Sequence, residues 1–190
     1  CNFADHVYGR EITKADKTER FVGKVAVLGL GFQMGPPKLQ MTLAKGALGG
    51  PPVFFTLSQC EDFVNKYRRK NHRIENGWRI CKQIIEEMAT GRSGSHKCLS
   101  WSKGEIQLPN GMTLKYPDLK KAMNDKGYDE WTYQSGPTRK KIYGGLLCEN
   151  IVQALARIIV GWQMLQISRK YRVVMTTHDE PQALIYNSNH

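Results

Sequence analysis

Four residues, Arg20, Lys24, Leu28 and Phe32, fall at i, i+4, i+8 and i+12 and would share one face of a helix. Two cations followed by an apolar and then an aromatic residue describe a surface that can hold a polyphosphate at one end and a sugar or base at the other. Cations near a helix N-terminus are opposed by the macrodipole, so a bound polyanion would account for them. An ordinary amphipathic helix with solvated cations fits the same spacing, and spacing does not choose between the two. Further along, Glu149, Gln153 and Arg157 form a second i, i+4, i+8 series, a polar stripe on the otherwise apolar "ENIVQALARIIVGWQMLQI". Such a stripe faces either a ligand cleft or a buried polar network. Near the C-terminus His178, Asp179 and Glu180 stand together between two apolar runs that read as strands.

The stretch "VAVLGLGFQMG" admits another reading, a dinucleotide-binding strand and turn with glycines at 29, 31 and 35. That fold needs a helix to receive the pyrophosphate and an acid about 20 positions later for the ribose. Pro36 and Pro37 fall where the helix should already be running, and no Asp or Glu occurs from Phe21 through Cys60. The glycines at 23, 29 and 31 are therefore read as clearance for backbone or nucleotide within a helix, each costing about 1 kcal/mol of propensity.

The elements that must carry these residues are partly legible. "TKADKTER" reads as a helix start capped at Thr13 or Thr18. Residues 36–52, rich in Gly and Pro, read as a loop interrupted by a short piece around "KLQMTLAKG". Ser58 and Glu61 form a capping-box pattern ahead of Phe63, Tyr67, Ile74, Trp78, Cys81, Ile85 and Met88, whose spacing predicts a long amphipathic helix, or two bent near Asn71, ending at Gly91. Asn110-Gly111 between Leu108 and Met112 predicts a hairpin. The polar stretch 118–141 suggests no element, and 149–167, apolar on nearly every side, predicts a buried helix.

At 190 residues the chain has room for one domain or two small lobes. Its formal net charge of +11 favours a polyanionic partner, and basic clusters occur at 66–73, 139–141 and 169–172. Five scattered cysteines without a CxxC argue against a disulfide framework or zinc finger, His96, Cys98 and Cys81 being the nearest approach to a metal set. With no signal pattern and no run of 18 apolar residues, the expectation is a soluble, non-secreted chain cut from something longer.

With these residues in place, "RFVGKVAVLGLGFQMG" resembles motif B of the family A DNA polymerases, the DNA polymerase I family: Arg, three residues, Lys, seven residues, then an aromatic. "TTHDE" (176–180) resembles that family's motif C. "YGGLLCENIVQALAR" (143–157) resembles the segment between them, above all in phage-type members, and "LPNGMTLKYPDL" also looks phage-like. Each motif alone is weak, but their order and spacing are specific and cover most of the chain. The resemblance implies an α+β fold. Residues 1–142 would form a mainly helical fingers subdomain with a β-hairpin insertion near 96–117, and residues 143–190 part of the palm, with a buried helix and the hairpin carrying HDE.

The resemblance also implies roles. Arg20 and Lys24 bind the incoming triphosphate, with Lys24 serving catalysis; Leu28 contacts the nucleotide sugar; Phe32 takes the place of the aromatic near the templating position. Gln153 bonds in the minor groove at the primer terminus, where the acceptor pattern is similar for every base pair. Arg157 lies on the same primer–template face, and His178 contacts the primer strand. Asp179 and Glu180 are the catalytic carboxylates and the Mg²⁺ ligands. The implied enzyme is a DNA-directed DNA polymerase, transferring nucleotides from dNTP to a primer 3′-hydroxyl with two Mg²⁺ ions. Primer–template DNA, dNTP and the remainder of the polymerase chain are the partners, with no membrane, in the cytoplasm of the host cell if phage-encoded. A non-catalytic nucleic-acid-binding module is the competing class.

The sequence departs from the family pattern in named places. Gln33 stands where the family has Gly after the aromatic, and Phe32 lacks the hydroxyl of the usual Tyr. Neither Asp5 nor Asp16 sits in a context matching motif A, and ten residues follow Glu180 where family members continue with further helices. One carboxylate pair cannot hold two metals, so this piece alone is expected to have no polymerase activity.

Overall fold

The structure is a computed structural model that describes residues 2–46, 49–125, 127–177 and 180–184. It is a mixed α+β fold in two compact units: residues 1–86 with 142–148, and residues 87–141 with 149–190.

The first unit is helical: α1 (Asn2–Tyr8), α2 (Lys17–Leu30), α3 (Pro36–Ala44), α4 (Leu57–Lys70), most of α5 (His72–Thr90) and the start of α6 (Gly144–Ser168). Val22, Val25, Ala26 and Leu30 give α2 one buried face, packed with Phe3 of α1, Leu39 and Leu43 of α3, Phe63 and Tyr67 of α4, and Trp78 of α5. Burial of each large side chain is worth about 1.5–3 kcal/mol. Gly23 lets α1 approach: a Cβ there would stand 2.7 Å from Ala4 Cβ.

Neither Thr13 nor Thr18 caps α2. The cap is Asp16, whose carboxylate turns back to accept from Thr13 N and Oγ1, both at 2.8 Å, and from Arg10 at 2.9 Å. Arg10, and then Thr13, hold the Asp16 carboxyl well below the usual carboxylate range. Pro36 and Pro37 open α3 rather than preventing it, because a first helical turn needs no N–H at those positions. The dinucleotide reading fails on other grounds: the residues before the glycines form a helix, not a strand.

The capping box of α4 is Thr56 with Gln59, two residues before the Ser58–Glu61 pair. Both pairs satisfy the pattern. Phe55, just ahead of Thr56, packs edge-on against Phe63 at 5.0 Å and so accompanies the chain's approach at that cap. The expected bend at Asn71 is a full break, sealed by Asn71 Nδ2 donating to Tyr67 O at 2.9 Å. Gly91, at φ +76, follows α5.

In the second unit β1 (Gly94–His96), β2 (Leu99–Ser102), β3 (Glu105–Gln107) and β4 (Thr113–Lys115) form an antiparallel meander. The β3–β4 hairpin turns through Asn110 and Gly111, the latter at φ +82, as the dipeptide predicts. Ile106 fills the meander's core, and Trp101 Nε1 donates to Glu87 Oε2 at 2.8 Å.

Residues 118–141, for which the sequence suggested nothing, form a second antiparallel sheet of β5 (Lys120–Met123), β6 (Asp129–Ser135) and β7 (Thr138–Lys141). Polar cross-strand pairs tie it in place of apolar ones: Lys141 with Glu130, and Arg139 with Asp118 and Thr132.

The helix expected at 149–167 exists as α6, but it is not buried. Val152, Ile159, Trp162 and Leu165 are each more than half exposed, and Ile151 and Val160 are its buried apolar residues beyond Cys148. Composition reports that a helix wants cover on every side; among the described residues that cover is incomplete. By length and composition alone α6 is also long and apolar enough to cross a membrane. The chain closes with β8 (Arg172–Thr177) paired antiparallel to β9 (Glu180–Leu184).

Candidate functional site

Helix α2 presents Arg20, Lys24 and Leu28 on the face opposite its buried valines, and all three are exposed. Arg20 and Lys24 lie about 6 Å apart along the axis, within reach of one polyphosphate. Among the described residues neither makes an ion pair, whereas the neighbouring Glu19 is taken by Arg10 at 2.7 Å. A planar guanidinium and a point-like ammonium on one exposed face suit a multiply charged oxyanion.

Phe32 does not lie within the helix as the spacing implied, because α2 ends at Leu30. Gln33 N donates to Leu30 O at 3.1 Å and Met34 N to Gly29 O at 3.2 Å, the paired bonds of a Schellman motif. Gly31 keeps helical dihedrals and Phe32, half-buried, is the last position before the reversal. The glycines at 23 and 29 give room to the chain's own side chains. A Cβ on Gly29 would meet Met34 Cε at 2.6 Å, and Gly31 O accepts from Trp78 Nε1 at 3.1 Å.

Gln33 holds the left-handed position of that motif at φ 67, the conformation for which glycine is favoured. Its side chain explains what replaces a glycine's ease: Oε1 accepts the N–H of Gly145 at 2.9 Å, one of the orphan donors in the first turn of α6. A Cβ on Gly145 would stand 2.5 Å from Gln33 Cβ, so the two turns touch backbone to backbone. Sequence reasoning flagged Gln33 only as a departure from a pattern; its role as a cap for a distant helix has no local signal.

Behind this contact, Cys81 of α5 and Cys148 of α6 are hydrogen-bonded to each other. The Cys81 thiol donates, which pulls Cys148 below the ordinary thiol value, to about 7, and pushes Cys81 up. Cys81 is thus a buried partner of Cys148, while His96 and Cys98 lie exposed on the meander. Among the described residues no three His, Cys, Asp or Glu side chains gather as a metal set.

On α6, Gln153 Nε2 donates to Glu149 Oε1 at 3.2 Å, and Gln153 and Arg157 are exposed. The stripe therefore faces outward instead of forming a buried polar network. Glu180, exposed, opens β9 opposite Thr177. Its carboxylate is a hard oxygen donor of the kind Mg²⁺ takes, but it supplies only part of a set. His178 and Asp179 lie outside the described residues.

A curated protein named DNA polymerase, from Bacillus phage SP02, is similar to this chain, 30% identical over an alignment of 171 residues that covers 83% of this chain and 26% of the relative. The chain is thereby related to a phage DNA polymerase, and it spans about a quarter of that relative's length. No family profile matches it. No solved structure matches it either.

Proposed function

We propose that the chain is the motif B to motif C segment of a family A DNA polymerase, a template-directed nucleotidyltransferase. The observation that carries the reading is the exposed Arg20 and Lys24 pair on the outer face of α2, without an ion pair among the described residues, in a chain similar to a phage DNA polymerase along most of its length. On this reading Arg20 and Lys24 grip the triphosphate, Leu28 borders the sugar and Phe32 borders the templating position. Gln153 and Arg157 face the primer–template duplex, and His178 the primer strand. Asp179 and Glu180 are the carboxylates that would hold Mg²⁺, which when bound supplies charge neutralisation at the reacting phosphate. Lys24, close to the triphosphate, offsets the charge that builds on the leaving pyrophosphate.

Further carboxylates would come from the remainder of the polymerase chain, so this segment alone is inactive. The same remainder accounts for the exposed apolar residues of α6, which is read as an interior helix rather than a membrane span because Glu149, Gln153 and Arg157 line one side of it. The intact enzyme works on primer–template DNA and dNTP in the cytoplasm.

The test is Lys24→Ala in the whole polymerase. Loss of a charge-assisted phosphate contact, about 1.5–3 kcal/mol, lowers kcat/KM for dNTP about 10- to 100-fold. Unchanged incorporation would favour the competing class, a nucleic-acid-binding module without catalysis.

A further inference from the structure

The β5–β6–β7 sheet has two faces of different character, and the register assigns each residue to one of them. Thr132 pairs with Lys120 and Lys141, placing these with Glu130 and Arg139 on one face. Every cation there is engaged: Arg139 and Lys120 with Asp118, and Lys141 with Glu130. On the other face Lys121 pairs with Trp131, and Lys140 with Tyr133. Both lysines are exposed and make no ion pair among the described residues, and Asp129, at the far end of β6, is the acid on that side.

Trp131 is partly buried, with Lys121 Nζ lying 5.4 Å from its ring centroid. A solvated lysine tip is a displaceable cover for an indole, since a cation–π contact at an exposed site is weak. Tyr133, two residues along on the same face, packs nearly at right angles to Tyr116, 5.1 Å between centroids. An indole flanked by two uncommitted ammonium groups is the pairing that accepts an unstacked base on the ring and its phosphates on the cations. Of the basic run 139–141, Lys140 is the one without an ion pair among the described residues.

We propose that the Lys121–Trp131–Lys140 face is a docking surface for single-stranded DNA, one base stacking on Trp131 and the adjoining phosphates pairing with Lys121 and Lys140. Charge complementarity selects the occupant: a net charge of +11 favours a polyanion, and the accessible part of the indole between two exposed lysines favours a strand whose bases are unpaired. This goes beyond the proposed polymerase activity and does not require it.

The experiment is fluorescence anisotropy of the full chain with a fluorescein-labelled oligothymidine, against a duplex of equal length, across a salt series. Primer extension plays no part in the readout, so failure here and failure of the polymerase reading are separable. Trp131→Ala is expected to weaken binding about tenfold or more, and Trp131→Phe to retain most of it. Lys121→Gln with Lys140→Gln lowers the slope of log K against log[salt] by about 1.4. Lys141→Gln, on the opposite face, leaves the slope within error. The proposal is overturned if Trp131→Ala and the double lysine variant bind as the parent does, if Lys141→Gln matches the pair, or if Trp131→Ala weakens duplex binding as much as single-strand binding.

Discussion

The junction of Gln33 with Gly145 makes a quantitative prediction about two glycines of one helix. In Gly145→Ala the new Cβ would stand 2.5 Å from Gln33 Cβ and 2.9 Å from Phe32 O, so neighbouring backbone must shift. Overpacking of that kind costs about 1–3 kcal/mol, and losing the bond to Gln33 Oε1 adds about 0.5–1.5 kcal/mol. A better helix former returns up to about 1 kcal/mol. The net loss is about 2–3 kcal/mol, which for a chain of this size lowers Tm by about 5–10 °C. Gly161 of the same helix has nothing within 4 Å of its added Cβ, so Gly161→Ala stabilises by about 0.5–1 kcal/mol. Gln33→Gly exchanges left-handed strain of about 1–2 kcal/mol for the lost hydrogen bond and comes out near neutral. It also removes the tightest clash, so Gly145→Ala costs less in its presence, with a coupling of at least about 1 kcal/mol. Urea denaturation and thermal melts of the four variants measure this. Equal shifts for Gly145→Ala and Gly161→Ala, or strict additivity with Gln33→Gly, would refute the reasoning.

Thr56→Ala removes the hydroxyl that accepts from Gln59 N, leaves the reciprocal bond from Thr56 N to Gln59 Oε1 in place, and is expected to cost about 1 kcal/mol in denaturant melts, whereas Ser58→Ala leaves stability nearly unchanged. Cys148, with its folded pKa lowered to about 7 by the Cys81 thiol, should be alkylated with a half-maximal rate near that pH, read at its own peptide by mass spectrometry; Cys81→Ala moves the midpoint upward. The sign for stability follows: the lowered Cys148 value favours the folded chain from about pH 7 up to the ordinary thiol pKa and is lost as pH falls through about 7, while the raised Cys81 value works against folding as pH climbs above the ordinary thiol pKa. Arg20→Ala, at an exposed position without an ion pair among the described residues, changes stability by less than about 0.5 kcal/mol while raising KM for dNTP in the whole polymerase, which separates binding from folding.

Periodicity exposed what repeats along one element. The outer and inner faces of α2, the break at Asn71, the turn at Asn110-Gly111 and the β8–β9 pair could all be read from spacing and turn chemistry. Features settled by partners far along the chain could not. Strands β5 to β7 are polar, and only the register shows that Glu130 meets Lys141 and that Trp131 meets Lys121. The choice of Thr56 over Ser58 as a cap goes with a phenylalanine contact, not with the capping pattern itself. Gln33 in a left-handed turn contradicts local propensity and is intelligible only once Gly145 is brought to it. The apolar sequence of α6 announces a helix but not what covers it. For the candidate site, the cations of α2 were legible because they recur at helical spacing, whereas the outward aspect of Gln153 and Arg157 required the fold.

The central claim is tested most directly by single-nucleotide primer extension with the whole polymerase and its Asp179→Asn variant, at saturating dNTP and Mg²⁺. The account predicts a fall in kcat of at least about 100-fold with primer–template affinity nearly unchanged. An Asp179→Asn enzyme that extends the primer at the parent rate would contradict it.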